Sequence, residues 1–346
     1  MSASETLTTT GQGGHFAEMQ RRRLILALTE ILGESGLDDA RVGRICKRAG
    51  VSRRTFYDLF ADREACFLAA FELASERLAR TVIPVYRREG RWCERIRAAL
   101  GLLLESLDRE PLLAWLCIVE TLKGDNRVLR RRGEVIDALV RAVDEGRSEM
   151  KGIPSPLTAE SVVGGALSIL HDRLLREQIG SDGAPGDAPD APRGVGKEGS
   201  LGELLAPLTS MIVQPYLGAA AAKRELQRPA PRRDAKATGG QGAAAGELDE
   251  RPPVDPFRSL PIRFTYRTAR VIDVIADRPG ASNRQISDGS GTPDQGQISR
   301  LLHRLEHHEL IVNRGRGHSK GEPNAWTLTL RGQAVHRALA GFAPER

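Results

Sequence analysis

The sequence predicts a mainly α-helical chain followed by a small second domain that contains a β-hairpin. Apolar residues recur at helical spacing through most of residues 15–226. Aromatic residues make up only 4% of the chain, so the cores must consist of aliphatic side chains, which suit helices. Near the C-terminus, apolar and polar residues alternate on both sides of a basic, glycine-rich tip, which is typical of a β-hairpin.

Length, charge and cysteine usage limit the class of protein. A chain of 346 residues is too long for one ordinary core, so two domains are expected. A net charge of +6 is compatible with nucleic-acid binding. No signal-peptide pattern or membrane-length apolar run is evident, so we expect a cytoplasmic protein without a membrane partner. The cysteines lack metal-ligand spacing and predict free thiols at Cys46, Cys66, Cys93 and Cys117.

Changes in composition along the chain predict its domain limits. Segments rich in Gly, Pro, Ser or Ala cannot form a core and separate the helical segments. The predicted segments are a disordered tail (1–14), a three-helix head (15–61), a helical body (62–226) with a flexible loop (180–199), a linker (227–256) and a C-terminal domain (257–346).

The head has the pattern of a helix-turn-helix. Apolar residues in 24–32 predict a first helix that ends at Gly36, and those in 42–49 predict a short second helix that ends at Gly50. Ser52 then caps a third helix, SRRTFYDLF. A short helix, a glycine turn and a polar helix with basic residues at its start suit insertion into the major groove.

The stretch RICKRAGVSRRTFYDLFADREACF resembles the signature of the TetR family of transcriptional regulators. The matching positions are Ala49, Gly50, Val51, Ser52, Thr55, Tyr57, Phe60 and Arg63. The family usually has Lys where Arg63 stands, and often Thr where Arg41 stands. The DNA-binding residues predicted in the head are Arg41, Ser52, Arg53, Arg54, Thr55, Tyr57 and Arg63. The alternative is an unrelated three-helix bundle with a basic face.

The resemblance implies that the body binds a small-molecule effector of unknown identity and forms a homodimer. A long connecting helix is expected over residues 62–82, with further helices near 91–109, 111–123 and 126–150. The candidate ligand-binding residues are Trp92, Leu103, Trp115, Ile118, Val119 and His171. Ordinary core packing is the alternative for each of them.

Two later helices have wide apolar faces, over residues 159–178 and 200–217. By the same resemblance, these helices should pair with those of a second chain in a four-helix interface. The predicted dimer-interface residues are Val163, Leu167, Leu170, Leu204, Leu208 and Met211. The alternative is that the two helices only close the core of a single chain.

The order of elements in the C-terminal domain resembles a winged helix-turn-helix of the MarR-like kind. Two helices are predicted before a third, QISRLLHRLEHHELI, and a hairpin with a basic tip follows. Between Arg258 and Lys320 there are eleven Lys or Arg against six Asp or Glu. The predicted DNA-binding residues are Gln297, Ser299, Arg300, His303, Arg304, Arg314, Arg316 and Lys320. A winged helix used for protein contacts is the alternative.

These patterns predict a sequence-specific regulator that binds double-stranded DNA, with a homodimeric, ligand-responsive repressor as the leading interpretation. We expect no cofactor. A metal site among His303, His307, His308 and His318 is not favoured, because no cysteine or Glu-x-x-His arrangement accompanies them. A metal-dependent enzyme is the remote alternative, since His171-Asp172 is a lone dipeptide without a second metal motif or nucleophile elbow. We therefore expect no enzymatic activity.

Overall fold

The computed structural model describes residues 3–150, 155–182, 200–229, 265–292, 294–315 and 324–340. Side chains are described over these ranges apart from 3–15, 177–182 and 338–340. The chain divides into two compact units. The first unit comprises Met1–Leu24, Val42–Ala61 and Gln241–Arg346, and the second comprises Ile25–Arg41 and Asp62–Gly240. The N-terminal end of the head therefore shares a unit with the C-terminal domain, a grouping that the predicted domain limits did not contain.

The described part of the chain is largely helical. The helices are α1 (Ala3–Ser35), α2 (Val42–Ala49), α3 (Arg53–Leu59), α4 (Arg63–Tyr86), α5 (Trp92–Arg109), α6 (Pro111–Ile118), α7 (Asn126–Asp144), α8 (Thr158–Asp182), α9 (Leu205–Gln227), α10 (Tyr266–Asp277), α11 (Asn283–Ser290), α12 (Gln295–His307) and α13 (Leu330–Ala340). Short 3-10 turns lie at Leu37–Asp39, Glu120–Lys123, Glu145–Glu149 and Leu201–Leu204. Strands β1 (Ile311–Asn313) and β2 (Trp326–Leu328) pair antiparallel, with Val312 opposite Thr327.

The structure differs from the sequence expectation at several segment ends. Residues 3–14 continue α1 instead of forming a disordered tail, because adding residues to an existing helix costs far less than nucleating one. Helix α8 extends to Asp182, so residues 180–182 of the expected loop are helical, and residues 183–199 lie outside the described residues. Of the expected linker at 227–256, only residues 227–229 are described.

Helix α9 is irregular in a way that its apolar pattern did not predict. Gly218 has a φ of 81° inside it, three residues after Pro215, so two helical segments meet at a kink. The stretch Leu201–Gln227 is also long and apolar enough to cross a membrane, contrary to the expectation that no such run exists. Half of its most apolar window is buried within the chain.

The core of the second unit is formed where α5, α7, α8 and α9 meet. Trp92 packs on Tyr216 with ring centroids 5.0 Å apart, and both side chains are buried. The Trp92 indole N–H donates to the carbonyl of Ala142 at 3.1 Å. Gly146 allows this approach, because a Cβ there would lie 2.6 Å from the indole ring. Trp92 is therefore an anchor of the helical core.

Most of the predicted dimer-interface residues are buried within the single chain. Val163, Leu170, Leu204 and Leu208 are each exposed by 9% or less, while Leu167 and Met211 are half-buried. The apolar faces of α8 and α9 are wide because they cover neighbouring helices of the same chain. Burial of these four residues within one chain agrees with the alternative interpretation, and their role in a dimer stays a prediction.

The helices of the C-terminal domain and strand β2 contribute to one small hydrophobic core. Ile286, Ile298, Leu302 and Leu305 are fully buried there, and Trp326 of β2 is 5% exposed. The main chain of β2 also pairs with the segment before α11, since the Trp326 N–H donates to the Ala281 carbonyl at 3.1 Å. Helices, hairpin and final helix follow one another in the order that the sequence predicted.

Candidate nucleic-acid interface

The turn between α2 and α3 is built around a glycine in the left-handed conformation. Gly50 has a φ of 65°, and the N–H of Val51 donates to the Cys46 carbonyl at 3.0 Å. These two features end α2 with the hydrogen bond of a Schellman motif. The cap sets the direction in which α3 leaves the turn.

Helix α3 is fixed at its start and along its inner face. The Ser52 hydroxyl accepts the Thr55 N–H at 3.0 Å and lies 2.8 Å from the Thr55 hydroxyl. Phe56 is fully buried and Phe60 is 5% exposed, with their ring centroids 5.7 Å apart. Ser52 and Thr55 are therefore structural capping residues in this arrangement. Only one side of α3 remains free to meet a ligand.

Four side chains of α3 are exposed, namely the acidic Asp58 and the predicted Arg53, Arg54 and Tyr57. Tyr57 is 58% exposed, and its ring meets Phe56 edge-on at 5.4 Å. Arg53 and Arg54 are both exposed, and the Arg53 guanidinium lies over Gly43, 2.6 Å from where a Cβ of that residue would be. Two arginines and a tyrosine thus project from a short, rigid helix, as direct reading of a DNA groove requires.

The Arg63 side chain has partners within the chain, and its predicted phosphate contact stays a prediction. Its guanidinium donates to the Leu37 carbonyl at 3.2 Å and pairs with Glu64. Arg41 is exposed before α2, so its predicted phosphate contact stays a prediction. The ion pair of Arg63 with the adjacent Glu64 was not part of the sequence prediction.

Asp62 caps the connecting helix α4. It accepts the Ala65 N–H at 2.7 Å, and the Arg127 guanidinium donates to both of its oxygens at 3.0 Å. The Ala65 hydrogen bond and the Arg127 pair lower the pKa of the Asp62 carboxyl. The start of α4 is thereby tied to the start of α7.

A buried carboxylate joins the body to the turn that leads into α2. Glu120 is fully buried and accepts the Leu37 N–H at 2.9 Å, the Trp115 indole N–H at 3.1 Å and the Lys123 ammonium at 2.9 Å. Such a charge is costly to bury and is tolerated because all three donors satisfy it. The sequence reasoning missed Glu120, and no periodic signal marks it.

The six candidate ligand-binding residues do not form a described cavity. Trp92, Ile118 and Val119 are buried in the core, whereas Leu103, Trp115 and His171 are half-buried. The groove that the structure does describe lies along α4 and is lined by Glu76, Ala79, Arg80, Ile83 and Pro84. None of the six is among its lining residues, so their role in ligand binding stays a prediction.

The C-terminal domain presents a second pair of helices with similar features. The side chains of α12 that were predicted to contact DNA are all exposed, namely Gln297, Ser299, Arg300, His303 and Arg304. Arg314 is also exposed at the end of β1, while Arg316 and Lys320 lie outside the described residues. Their contact with DNA stays a prediction.

An amide network joins this helix pair to the base of the hairpin. The Asn283 side-chain oxygen accepts the Trp326 indole N–H at 2.6 Å and the Asn324 amide at 3.1 Å. Asn313 donates to Asn324 at 2.8 Å, and the Asn283 amide reaches the Ser299 hydroxyl at 3.4 Å. These hydrogen bonds therefore hold α12 in a defined position relative to strands β1 and β2.

The described residues contain no group of three or more metal-binding side chains. In the His171-Asp172 pair, Asp172 forms an exposed ion pair with Arg176 at 2.8 Å. All four cysteines are free thiols, as predicted, and burial raises the pKa of Cys117 to about 12. His318 lies outside the described residues.

Sequence reasoning also missed a buried stripe near the start of the head. Phe16, Met19, Gln20 and Arg23 recur at helical spacing, and all but the half-buried Phe16 are buried. The signal that could have revealed it is the pair Phe16 and Met19, upstream of the apolar run that begins at Leu24.

The geometry of α2 and α3 is that of a helix-turn-helix. Residues 24–70 match the family model described as bacterial regulatory proteins, tetR family. This match shows that the segment containing α2, α3 and the start of α4 is similar to the one that the family model describes. No curated protein matches the sequence.

Several solved structures of transcriptional regulators have chain traces that are partly similar to this one. The fatty acid degradation regulator FadR from Bacillus halodurans is 15% identical, covers 58% of this chain and 97% of its own, and has a TM-score of 0.47. FadR from Bacillus subtilis, solved in complex with stearoyl-CoA, is 16% identical. The match covers 57% of this chain and 98% of that FadR, with a TM-score of 0.45. A transcriptional regulator from Rhodococcus sp. Rha1 is 23% identical. The match covers 56% of this chain and 96% of the regulator, with a TM-score of 0.40. These TM-scores are too low to assign a ligand to this chain.

Proposed function

We propose that this chain is a cytoplasmic, homodimeric repressor that recognises a specific DNA sequence and releases it in response to a small molecule. The observation that carries the proposal is the exposed set of Arg53, Arg54 and Tyr57 on α3. These side chains project from a helix whose other face is anchored by Phe56, within the segment that matches the family model.

The chemistry of these side chains suits the major groove. An arginine can donate two hydrogen bonds to the N7 and O6 atoms of one guanine. The Tyr57 hydroxyl and ring can contact a phosphate or a thymine methyl group. Because the cap and the buried aromatic residues already fix α3, little ordering remains to be done when DNA binds.

The test uses the full chain and a duplex selected by it from random-sequence DNA. Tyr57→Ala and Arg54→Ala should each weaken binding to that duplex by ~1–3 kcal/mol. Arg88→Ala is the matched control, because it removes an equally exposed arginine from the loop after α4. Unchanged affinity in both α3 variants would refute the proposal.

The link at Glu120 supports the proposed response to an effector. The carboxylate belongs to the turn after α6, and its partner Leu37 lies five residues before the start of α2. A ligand that shifts α6 would pull on this hydrogen bond and so bias the segment that leads into the DNA-binding helices. Binding in the body and release of DNA can be connected through it.

For the homodimer, we propose the outer face of α8 as the contact surface. A Cβ added at Gly164 would meet no atom within 4 Å, Ser168 is exposed, and Ile169 is 40% exposed. Ile169→Arg should turn the dimer into a monomer in sedimentation, because a charge would be buried at the interface. Leu129→Arg, at a residue of α7 that is 41% exposed, is the control. A dimer that persists in Ile169→Arg would mean that the interface lies elsewhere.

We further propose that the C-terminal domain is a winged helix that contacts DNA, mainly at phosphates. Arg300 and Arg304 lie exposed on α12, and Arg314 lies at the hairpin. Changing Arg300 and Arg304 to Ala in the full chain should lower the slope of log affinity against log salt by about 0.9 per lost contact. Arg337→Ala, on α13, is the control. An unchanged slope would favour a protein-contact role for this domain.

A further inference from the structure

The buried stripe at the start of α1 is not used by the DNA site. Met19 is 2% exposed, and Gln20 and Arg23 are nearly as buried, whereas Glu18 and Arg22 on the same helical turns are exposed. A stripe of this kind on one face of a helix indicates that the face packs against another part of the protein.

The partner of this stripe is the C-terminal domain. The Phe16 ring meets the Tyr266 ring at the start of α10 edge-on, with centroids 5.6 Å apart and an angle of 68° between the planes. Met19 belongs to a core cluster whose other buried members, including Ile272 and Leu302, all come from the C-terminal domain. The side chain of Met19 thus completes a core that lies more than 200 residues later in the chain.

The two helix pairs with exposed bases consequently share one compact unit. Helices α2 and α3 and helices α10–α12 all belong to the first unit, together with the N-terminal end of α1. A module that is packed in place, rather than tethered only by a chain, has a high effective concentration at a second site of matching geometry. It also loses less freedom when it binds there.

We propose that Phe16 and Met19 dock the C-terminal domain so that it and the head of the same chain bind one continuous DNA duplex at a fixed spacing. This inference rests on the proposed DNA contact of the C-terminal domain. The ligand is a duplex that extends beyond the segment covered by the head alone.

The spacing can be tested with the full chain on its selected duplex. Hydroxyl-radical footprinting should reveal two protected segments for each chain. Inserting about 5 base pairs between them should lower the affinity about tenfold or more, because half a helical turn moves one segment to the opposite side of the duplex. Inserting about 10 base pairs returns the two segments to the same side of the duplex, so the affinity should fall by less.

Variants at the docking contact then test whether the dependence of affinity on the spacing requires the buried stripe of α1. Phe16→Ala and Tyr266→Ala should lower affinity for the uninterrupted duplex and should remove most of the additional loss caused by the shorter insertion. Met19→Ala should do the same more strongly, but it also opens a hole in the C-terminal core. Hydrogen exchange over α10–α12 therefore checks that the domain stays folded. Leu26→Ala, at an exposed residue of α1, is the matched control.

The outcomes separate the inference from the function on which it rests. The docking role would be overturned if wild type and Phe16→Ala lost the same affinity on insertion. A higher DNA affinity of Phe16→Ala than of wild type would also overturn it, because the contact would then cover a DNA-binding surface. One protected segment per chain that disappears in Tyr57→Ala would overturn the composite site and leave DNA binding by the head intact. Failure to bind any selected duplex would contradict the proposed function itself.

Discussion

The helix pair α2–α3 in the head and the helix pair α11–α12 in the C-terminal domain are joined by the same kind of turn. Gly50 and Gly291 end the first helix of each pair with φ values of 65° and 66°. The N–H of the residue after each glycine donates to the carbonyl five residues earlier, at 3.0 Å in the head and 3.1 Å in the C-terminal domain. One local solution, a Schellman cap, thus serves both pairs.

The second helices of the two pairs differ in length and in the position of their bases. Helix α3 has 7 residues and carries Arg53 and Arg54 in its first turn, whereas α12 has 13 residues and carries Arg300 and Arg304 further along. Only the first pair lies within the residues that match the family model. A shared turn therefore does not by itself define how a helix pair meets its ligand.

The largest expected effect tests whether the two pairs are independent folding units. Phe56→Ala should destabilise α2–α3 by ~3–5 kcal/mol, and Leu302→Ala should destabilise α11–α12 by ~2–5 kcal/mol, because both side chains are fully buried. Hydrogen exchange of peptides from each pair would report the two losses separately. Phe56→Leu and Leu302→Met are milder controls. Equal loss of protection in both pairs after either change would show that they unfold together.

A smaller effect is expected from the amide network, which has no counterpart among the described contacts of the head. Asn283→Ala removes the acceptor of the Trp326 indole N–H and of the Asn324 amide. The free energy of unfolding of the C-terminal domain should fall by ~1–3 kcal/mol, because a partly buried donor loses its partner. Asn283→Asp keeps the acceptor oxygen and should lose less. A chemical denaturation curve that is unchanged in the alanine variant would show that water replaces the amide.

The sequence predicted the helix pairs well because local signals determine them. Glycine in the turn, a capping side chain and apolar residues on one face act over a few neighbouring positions, and the structure has Ser52 in the expected capping role. For the same reason, the order of helices and strands in the C-terminal domain was predictable from the pattern that surrounds Trp326.

Features that depend on distant contacts could not be predicted in this way. The interface roles of Leu204 and Leu208 were inferred from apolar faces, but periodicity does not say whether such a face covers the same chain or a second one. Glu120 reads as an ordinary surface residue until Leu37 and Trp115 are brought to it. Arg63 likewise matched the signature, yet its neighbour Glu64 binds its guanidinium.

The smallest expected effect comes from the caps of the two second helices, which differ in whether they can titrate. Ser52 caps α3 and carries no charge, whereas Asp294 caps α12 and accepts the Gln297 N–H at 3.1 Å. That hydrogen bond, with the Gln297 side chain, lowers the pKa of the Asp294 carboxyl below its ordinary value. The stabilisation is present above the unfolded-state pKa of about 3.9 and is lost as pH falls through the folded-state value.

Acidification below about pH 4 should therefore increase hydrogen exchange at the start of α12 through loss of the cap, while the start of α3 keeps its serine cap. Asp294→Asn is the matched control, because an asparagine accepts the same hydrogen bond without titrating. In that variant, the pH dependence at the start of α12 should disappear, measured as the difference in protection between about pH 5 and pH 3 after correction for intrinsic exchange. An equal loss of protection at both helix starts in the wild type would mean that acid unfolds a larger part of the chain and that the chemistry of the cap does not distinguish the two helix pairs.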